Sequence, residues 1–312
     1  MLRILAARLL QIALTLPVLS LLVWLVMGLM PGDPVDLAML ADPNLTEADR
    51  ERLRALHGLD RPLHLRFLAW AGAVLSGELG HSRLFARPVA EVLWPALLST
   101  LVLVGAAILL AGLLGVLIGV LAARRSGAAA GADALAILAQ SVPSFWLGIL
   151  LIIVFAVGLG WLPAGGSPEE PGLVEAARYL VLPVATLAFV TTAGYVRHSL
   201  AAMQSVLAEP YIRTARMKGL SERAVVWGHA APNAAVPVIT LASLDIGALV
   251  GGALVTETIF ARPGMGRLIY EAVMGNDYNL ALLALLLAGL VTMLATLAAD
   301  ILQRLIDPRI AG

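Results

Sequence analysis

The chain has 312 residues, 60% of them apolar and only 13% charged, with 21 basic and 21 acidic side chains cancelling to zero net charge. A soluble chain is closer to half apolar and a quarter charged, so the excess here points to a bilayer rather than to a larger core. Dispersed basic residues give no footprint for nucleic acid, and the absence of cysteine excludes disulfides and thiolate chemistry. Lysine occurs once, at Lys218, between Met217 and Gly219. A phosphate-cradling P-loop needs Gly-Lys followed by Ser or Thr. The chain therefore has no such loop, and any ATP chemistry must come from a partner.

A helix crosses about 30 Å of hydrocarbon with about 20 residues. Six stretches qualify, at about Leu9–Met30, Trp94–Ala122, Ala134–Leu159, Tyr179–Val196, Ala234–Thr258 and Leu280–Leu302. The fourth is the shortest. The first is longer than the apolar core of a signal peptide, and no A-x-A site follows it, so it reads as a retained span. Between the first and second spans, Thr46 can cap a helix whose first turn holds Glu47 and Asp49, with Leu53 and Leu56 on one face and Gly58 as a stop. After Pro62, a stripe including Leu65, Leu68, Ala71 and Leu75 predicts a second helix lying on the membrane surface. Pro143 and Pro183 are expected to kink their spans.

Arginine placement sets the orientation. Arg3, Arg8, Arg124, Arg125, Arg197, Arg213, Arg216, Lys218, Arg223, Arg304 and Arg309 fall on one side, against Arg178, Arg262 and Arg267 in the short opposite loops. Both termini are then cytoplasmic. The expected organisation is an N-terminal transmembrane helix over 1–30, an extracytoplasmic helical segment over 31–93, and a five-helix core over 94–312 carrying a cytoplasmic loop at 205–233.

That loop reads as helix, break, helix. Residues 211–218 favour a helix, Gly219 can adopt the left-handed conformation that ends one, and Ser221 can cap the next with Glu222 in its first turn. Pro232 then ends that helix or starts the fifth span. A Gly-centred hairpin displaying Arg213, Arg216, Lys218 and Arg223 suits a groove on a cytoplasmic partner; an ordinary basic loop has the same charges.

The stretch from Tyr211 through Arg213, Thr214, Ala215, Arg216, Lys218 and Gly219 to Leu220, followed by Ser221 and a downstream Asn233, resembles the EAA loop of binding-protein-dependent ATP-binding-cassette (ABC) importer permeases of the dipeptide/oligopeptide/nickel class. Further segments carry the likeness along nearly the whole chain. They are Pro31-Gly-Asp-Pro34, Gly58-Leu-Asp-Arg-Pro62, Gly77-Glu-Leu-Gly80, Ser141-Val-Pro-Ser-Phe-Trp146, Trp161-Leu-Pro163, Glu257 through Arg267, Asp277-Tyr278 and Asp307-Pro-Arg309. One departure is plain: Arg213-Thr214-Ala215 stands where the glutamate that names the loop would be. The resemblance implies an all-α membrane protein of the type I ABC importer permease fold, in a bacterial inner membrane. It implies a second homologous permease, two ATPase subunits holding ATP and Mg, and an extracytoplasmic solute-binding protein as partners, with the 205–233 loop as the coupling element. Di- or oligopeptides are the first expected cargo, then nickel or another small solute such as glutathione.

Ionisable groups within spans are costly and default to functional candidates. Asp245 either lines the path, meeting a substrate amine or a cation, or ties neighbouring helices together. Ser141 and Ser144 are weaker path candidates, being also suited to interhelical hydrogen bonds. Glu257 lies near the outer end of its span and fits a structural role. His57, His64, His81, His198 and His229 show no ligand spacing, so no metal site is expected. No triad, nucleophile elbow or HExxH appears, so no catalytic residue is assigned and no cofactor is expected in this chain. An ion-gradient-driven secondary transporter is the rival of another class, but no clear internal repeat supports it.

Overall fold

The computed structural model describes residues 2–28, 35, 39, 46–56, 60–124, 126–168 and 172–306. The Pro31–Pro34 motif, Gly58, Arg125 and Asp307–Arg309 lie outside the described residues. Two compact units emerge, one made of Leu97–Arg267 with Val291–Gly312, the other of Leu2–Ala96 with Leu268–Leu290. Among the described residues, five helices are long and apolar enough to cross a membrane, and one bent pair is a sixth if its two arms count as one span.

The second unit opens with α1 (Leu2–Gly28), then α2 (Glu47–Leu56) and α3 (Leu63–Leu75). The predicted cap at Thr46 forms: its Oγ1 accepts from Asp49 N–H at 3.3 Å, and Asp49 Oδ2 accepts back from Thr46 N–H at 2.9 Å and from its hydroxyl at 2.7 Å. Those bonds hold the Asp49 carboxyl below its ordinary value. The leucines of the α3 stripe face outward. Leu65, Leu68 and Leu75 are exposed, and the packing falls instead to Phe67 and Trp70, whose rings lie 5.8 and 5.6 Å from that of Trp24 on α1. Exposed leucines on such a helix suit a lipid-facing surface. A short hairpin, β1 (His81–Ser82) and β2 (Arg87–Pro88), was not visible in the apolar pattern, because two-residue strands carry no periodicity. Polar bonds hold it to the turn between α12 (Met265–Met274) and α13 (Tyr278–Ile306), as described below.

The first unit is built on α4 (Val89–Ala122) and α7 (Leu173–Leu207). Gly115 and Gly119 let α4 approach α7 so closely that a Cβ at either would overlap Tyr195 or Ser199. Ser199 Oγ donates to the Gly115 carbonyl at 3.0 Å across that contact. This is the small-residue packing that membranes favour where no hydrophobic force separates lipid from protein. An alanine seam, Ala132, Ala136 and Ala139 against Ala193, Val196 and Leu200, seats α5 (Ser126–Ser141) on α7.

Two expectations about the spans need correcting. The fourth span is not the shortest: α7 runs 35 residues without interruption, and Pro183 sits buried inside it. The apolar window closed at Val196 only because Arg197 and His198 follow. The third span is more than kinked. The segments Gly127–Ser141 and Ser144–Gly158 meet at 88°, because Pro143 keeps Val142 out of the helical region and its own ψ is 131°. The second arm is α6 (Ser144–Leu151), continued by a wide π turn over Ile152–Gly158. Pro232 takes the second of its two expected places, in the first turn of the helix that forms the fifth span. Helix α9 (Glu222–Ala224) continues through a π turn at Val225–Ala230 into α10 (Ala231–Gly252), and the wider turn accommodates the ring and its missing N–H. Helix α11 (Leu254–Ile259) follows.

Candidate functional site

The loop at 205–233 folds as the expected hairpin. Helix α8 (Pro210–Met217) stops at Lys218, and Gly219 takes φ +78°, with no heavy atom near enough to crowd a side chain. The constraint at 219 is therefore conformational rather than steric crowding. Leu220 N–H returns to the Ala215 carbonyl at 3.4 Å and Gly219 N–H to that of Arg216 at 3.0 Å, satisfying carbonyls at the helix end. Ser221 Oγ then accepts from Ala224 N–H at 3.3 Å, capping the next turn. Arg216 reaches across the break to Glu222 at 2.7 Å. Asn233 Nδ2 donates to the His229 carbonyl at 2.7 Å, within the π turn beside Pro232.

One face of this hairpin is anchored. Ile212, Ala215, Val225, Val226 and Ala230 bury themselves with Val120 of α4 and Met203 of α7. The other face is free. Tyr211, Met217, Leu220 and Trp227 are exposed apolar side chains, Met217 to 80%, interleaved with exposed Arg213, Thr214, Lys218 and Arg223. Of the residues the sequence singled out, only Ala215 turns inward.

Two other motifs become structural locks. Glu257 is fully buried. Its carboxylate accepts from the Thr100 hydroxyl and from Arg267 N–H at 3.0 Å, while Thr100 Oγ1 accepts from Met265 N–H at 2.7 Å. Gly264 is required because any Cβ there would overlap that carboxylate. In the other unit, Asp277 Oδ2 accepts from Ser82 Oγ at 2.6 Å and from Leu84 N–H at 3.0 Å. Its Oδ1 accepts from Leu280 N–H at 3.2 Å, capping α13. Asn279 bridges the Trp70 indole N–H, at 3.0 Å, and the Leu79 carbonyl, at 2.8 Å.

The path candidates do not gather. Ser141 is spent on the Ile137 carbonyl at 2.9 Å, and Ser144 is half-buried in the first turn of α6. Asp245 on α10 is half-buried, with Tyr195 and His198 of α7 as its electrostatic neighbours. His198 leads to a feature the sequence reading missed, a cleft of about 690 Å³ between α5 and α7. There Arg197 Nε meets Asp133 Oδ1 at 3.2 Å, with both side chains about half exposed. Gln140, His198 and Gln204 also line it. Hydropathy ends the fourth span at Val196 and puts Arg197 in the loop; the signal that places it on the helix is the spacing of Gly194, Arg197, Ala201 and Gln204 along one face.

The chain is thus a multi-span helical protein whose hairpin at 205–233 keeps one face free. The sequence model of the family described as "Binding-protein-dependent transport system inner membrane component" matches residues 115–312. The oligopeptide transport system permease protein AppB of Bacillus subtilis (strain 168) is 35% identical over 298 residues, covering 94% of each chain. The di/tripeptide transport system permease protein DppB of Pseudomonas aeruginosa (strain UCBPP-PA14) is 36% identical over 93% of each. The glutathione transport system permease protein GsiC of Salmonella choleraesuis (strain SC-B67) is 37% identical over 99% of each. The chain belongs to this family and is a permease subunit of an ABC importer, which sets the ion-gradient reading aside.

Proposed function

We propose that this chain forms half of a translocation path for di- or oligopeptides and couples it to ATP hydrolysis through the hairpin at 205–233. A second homologous permease completes the path. Two ATPase subunits, holding ATP and Mg, sit on the cytoplasmic side, and a soluble binding protein delivers cargo from outside. Both termini lie in the cytoplasm. The observation that carries this reading is the two-faced hairpin. Its inner face is cemented to α4 and α7 by Ile212, Val225 and Val226, while its outer face presents exposed Tyr211, Met217, Leu220 and Trp227 among cations. An apolar patch rimmed by charge suits a protein partner, and rigid anchorage lets a push at the hairpin move two spans. The peptide cargo rests on the names of the relatives, two of which specify oligopeptides or di/tripeptides.

Gly219→Val tests the coupling. A β-branched residue at φ +78° costs on the order of 1–3 kcal/mol, so the turn opens and the two arms lose their relative angle. In proteoliposomes holding the full assembly, ATP hydrolysis is expected to continue while peptide uptake falls. Undiminished uptake by this variant would remove the coupling role.

A further inference from the structure

We propose that the cleft between α5 and α7 is a transient cargo site that holds a small zwitterionic peptide by its two charged ends. This rests on the peptide-importer reading and deepens it. Among the described residues, Asp133 and Arg197 form the one ion pair on the walls of the cleft, and each remains about half exposed. Their bland role would be to tie α5 to α7. The alanine seam already does that with buried apolar contact, and a half-exposed pair adds little stability. Charged side chains on membrane-spanning helices are functional candidates by default, and these two open onto a cleft.

The pair matches the cargo chemically. A free dipeptide carries a carboxylate and an ammonium, as the pair carries a guanidinium and a carboxylate. On binding, Arg197 exchanges Asp133 for the peptide carboxylate, to which its planar fork is suited, and Asp133 takes the ammonium. Two ion pairs replace one, and neither side chain of the original pair is left without a partner. Gln140 and Gln204 offer both donors and acceptors to the peptide bond. His198 donates from Nδ1 to the Gly194 carbonyl at 2.9 Å, which leaves Nε2 as its other polar atom. The remaining wall is alanine, glycine and one leucine, so nothing there reads the cargo's side chains. A volume of about 690 Å³ falls in the range of small-ligand sites.

The test uses the complete importer in liposomes, with its binding protein, turning over a dipeptide that carries a photoreactive diazirine side chain. After illumination, mass spectrometry maps the label. The expected result is label within 129–140 and 194–204, removed by excess ordinary dipeptide. Arg197→Gln lowers it about tenfold or more per assembled complex, and Arg197→Lys, which keeps the charge but loses the fork, lowers it by less. Label confined to other segments, or label that Arg197→Gln does not change, overturns the site while leaving the importer reading intact. If the glutamine variant does not assemble, the wild-type map and its competition decide alone. A wild-type assembly that takes up no peptide overturns the peptide-cargo reading, and the site falls with it.

Discussion

Glu257 is a carboxylate with no exposed surface, and it accepts from the Thr100 hydroxyl and the Arg267 N–H. Buried acids of this kind are tolerable only while their partners hold. Glu257→Gln turns one acceptor into a donor facing a donor, and is expected to cost about 1–3 kcal/mol. Gly264→Ala forces a methyl into the carboxylate's place and should cost a similar amount, about 1–3 kcal/mol. Thermal unfolding of the detergent-purified protein checks both, and a melting temperature unchanged by either substitution would contradict the lock. The sequence makes Glu257 and Gly264 conspicuous as parts of one motif. It gives no hint of Thr100, which lies 157 positions away and looks like any span threonine. The same holds for Asp277 and Ser82, two motif neighbourhoods that read as separate landmarks and turn out to be one contact.

At the scale of elements, the α8 hairpin was legible because its signals are local: a glycine, a serine and an acid at fixed offsets. Its anchorage was not legible, because the residues that bury Ile212 come from α4 and α7. Ile212→Ala should leave a cavity costing about 2–4 kcal/mol and loosen the hairpin from its seat. Limited trypsin digestion of the purified protein then cuts at Arg213, Arg216 and Lys218 faster than in the wild type, whereas equal rates would show that Ile212 does not hold the hairpin. Spans were located well by hydropathy and delimited poorly. Helix α7 extends to Leu207 because helix propensity continues where hydropathy fails, and Arg197 is seated in the cleft instead of in a loop. At Pro143 the sequence announces a break but not its angle, which depends on where α6 packs; Gly148 there meets the Phe260 ring.

At the scale of the whole molecule, composition, the six apolar runs and the lone lysine already defined a membrane component lacking a P-loop. Family membership supplies the rest of the division of labour. What composition could not reveal is which surface meets the ATPase, since the positive-inside rule alone explains a basic cytoplasmic loop. The chain contains no cysteine, so a single Met217→Cys substitution, at a side chain 80% exposed, offers one unambiguous attachment point. The decisive measurement is cross-linking from that cysteine in the complex purified gently from membranes, with the products identified by mass spectrometry. The account predicts that the ATPase subunit is captured, with a yield that changes when ATP binds. A chain that purifies without an ATPase, or a residue 217 that never contacts one, would contradict it.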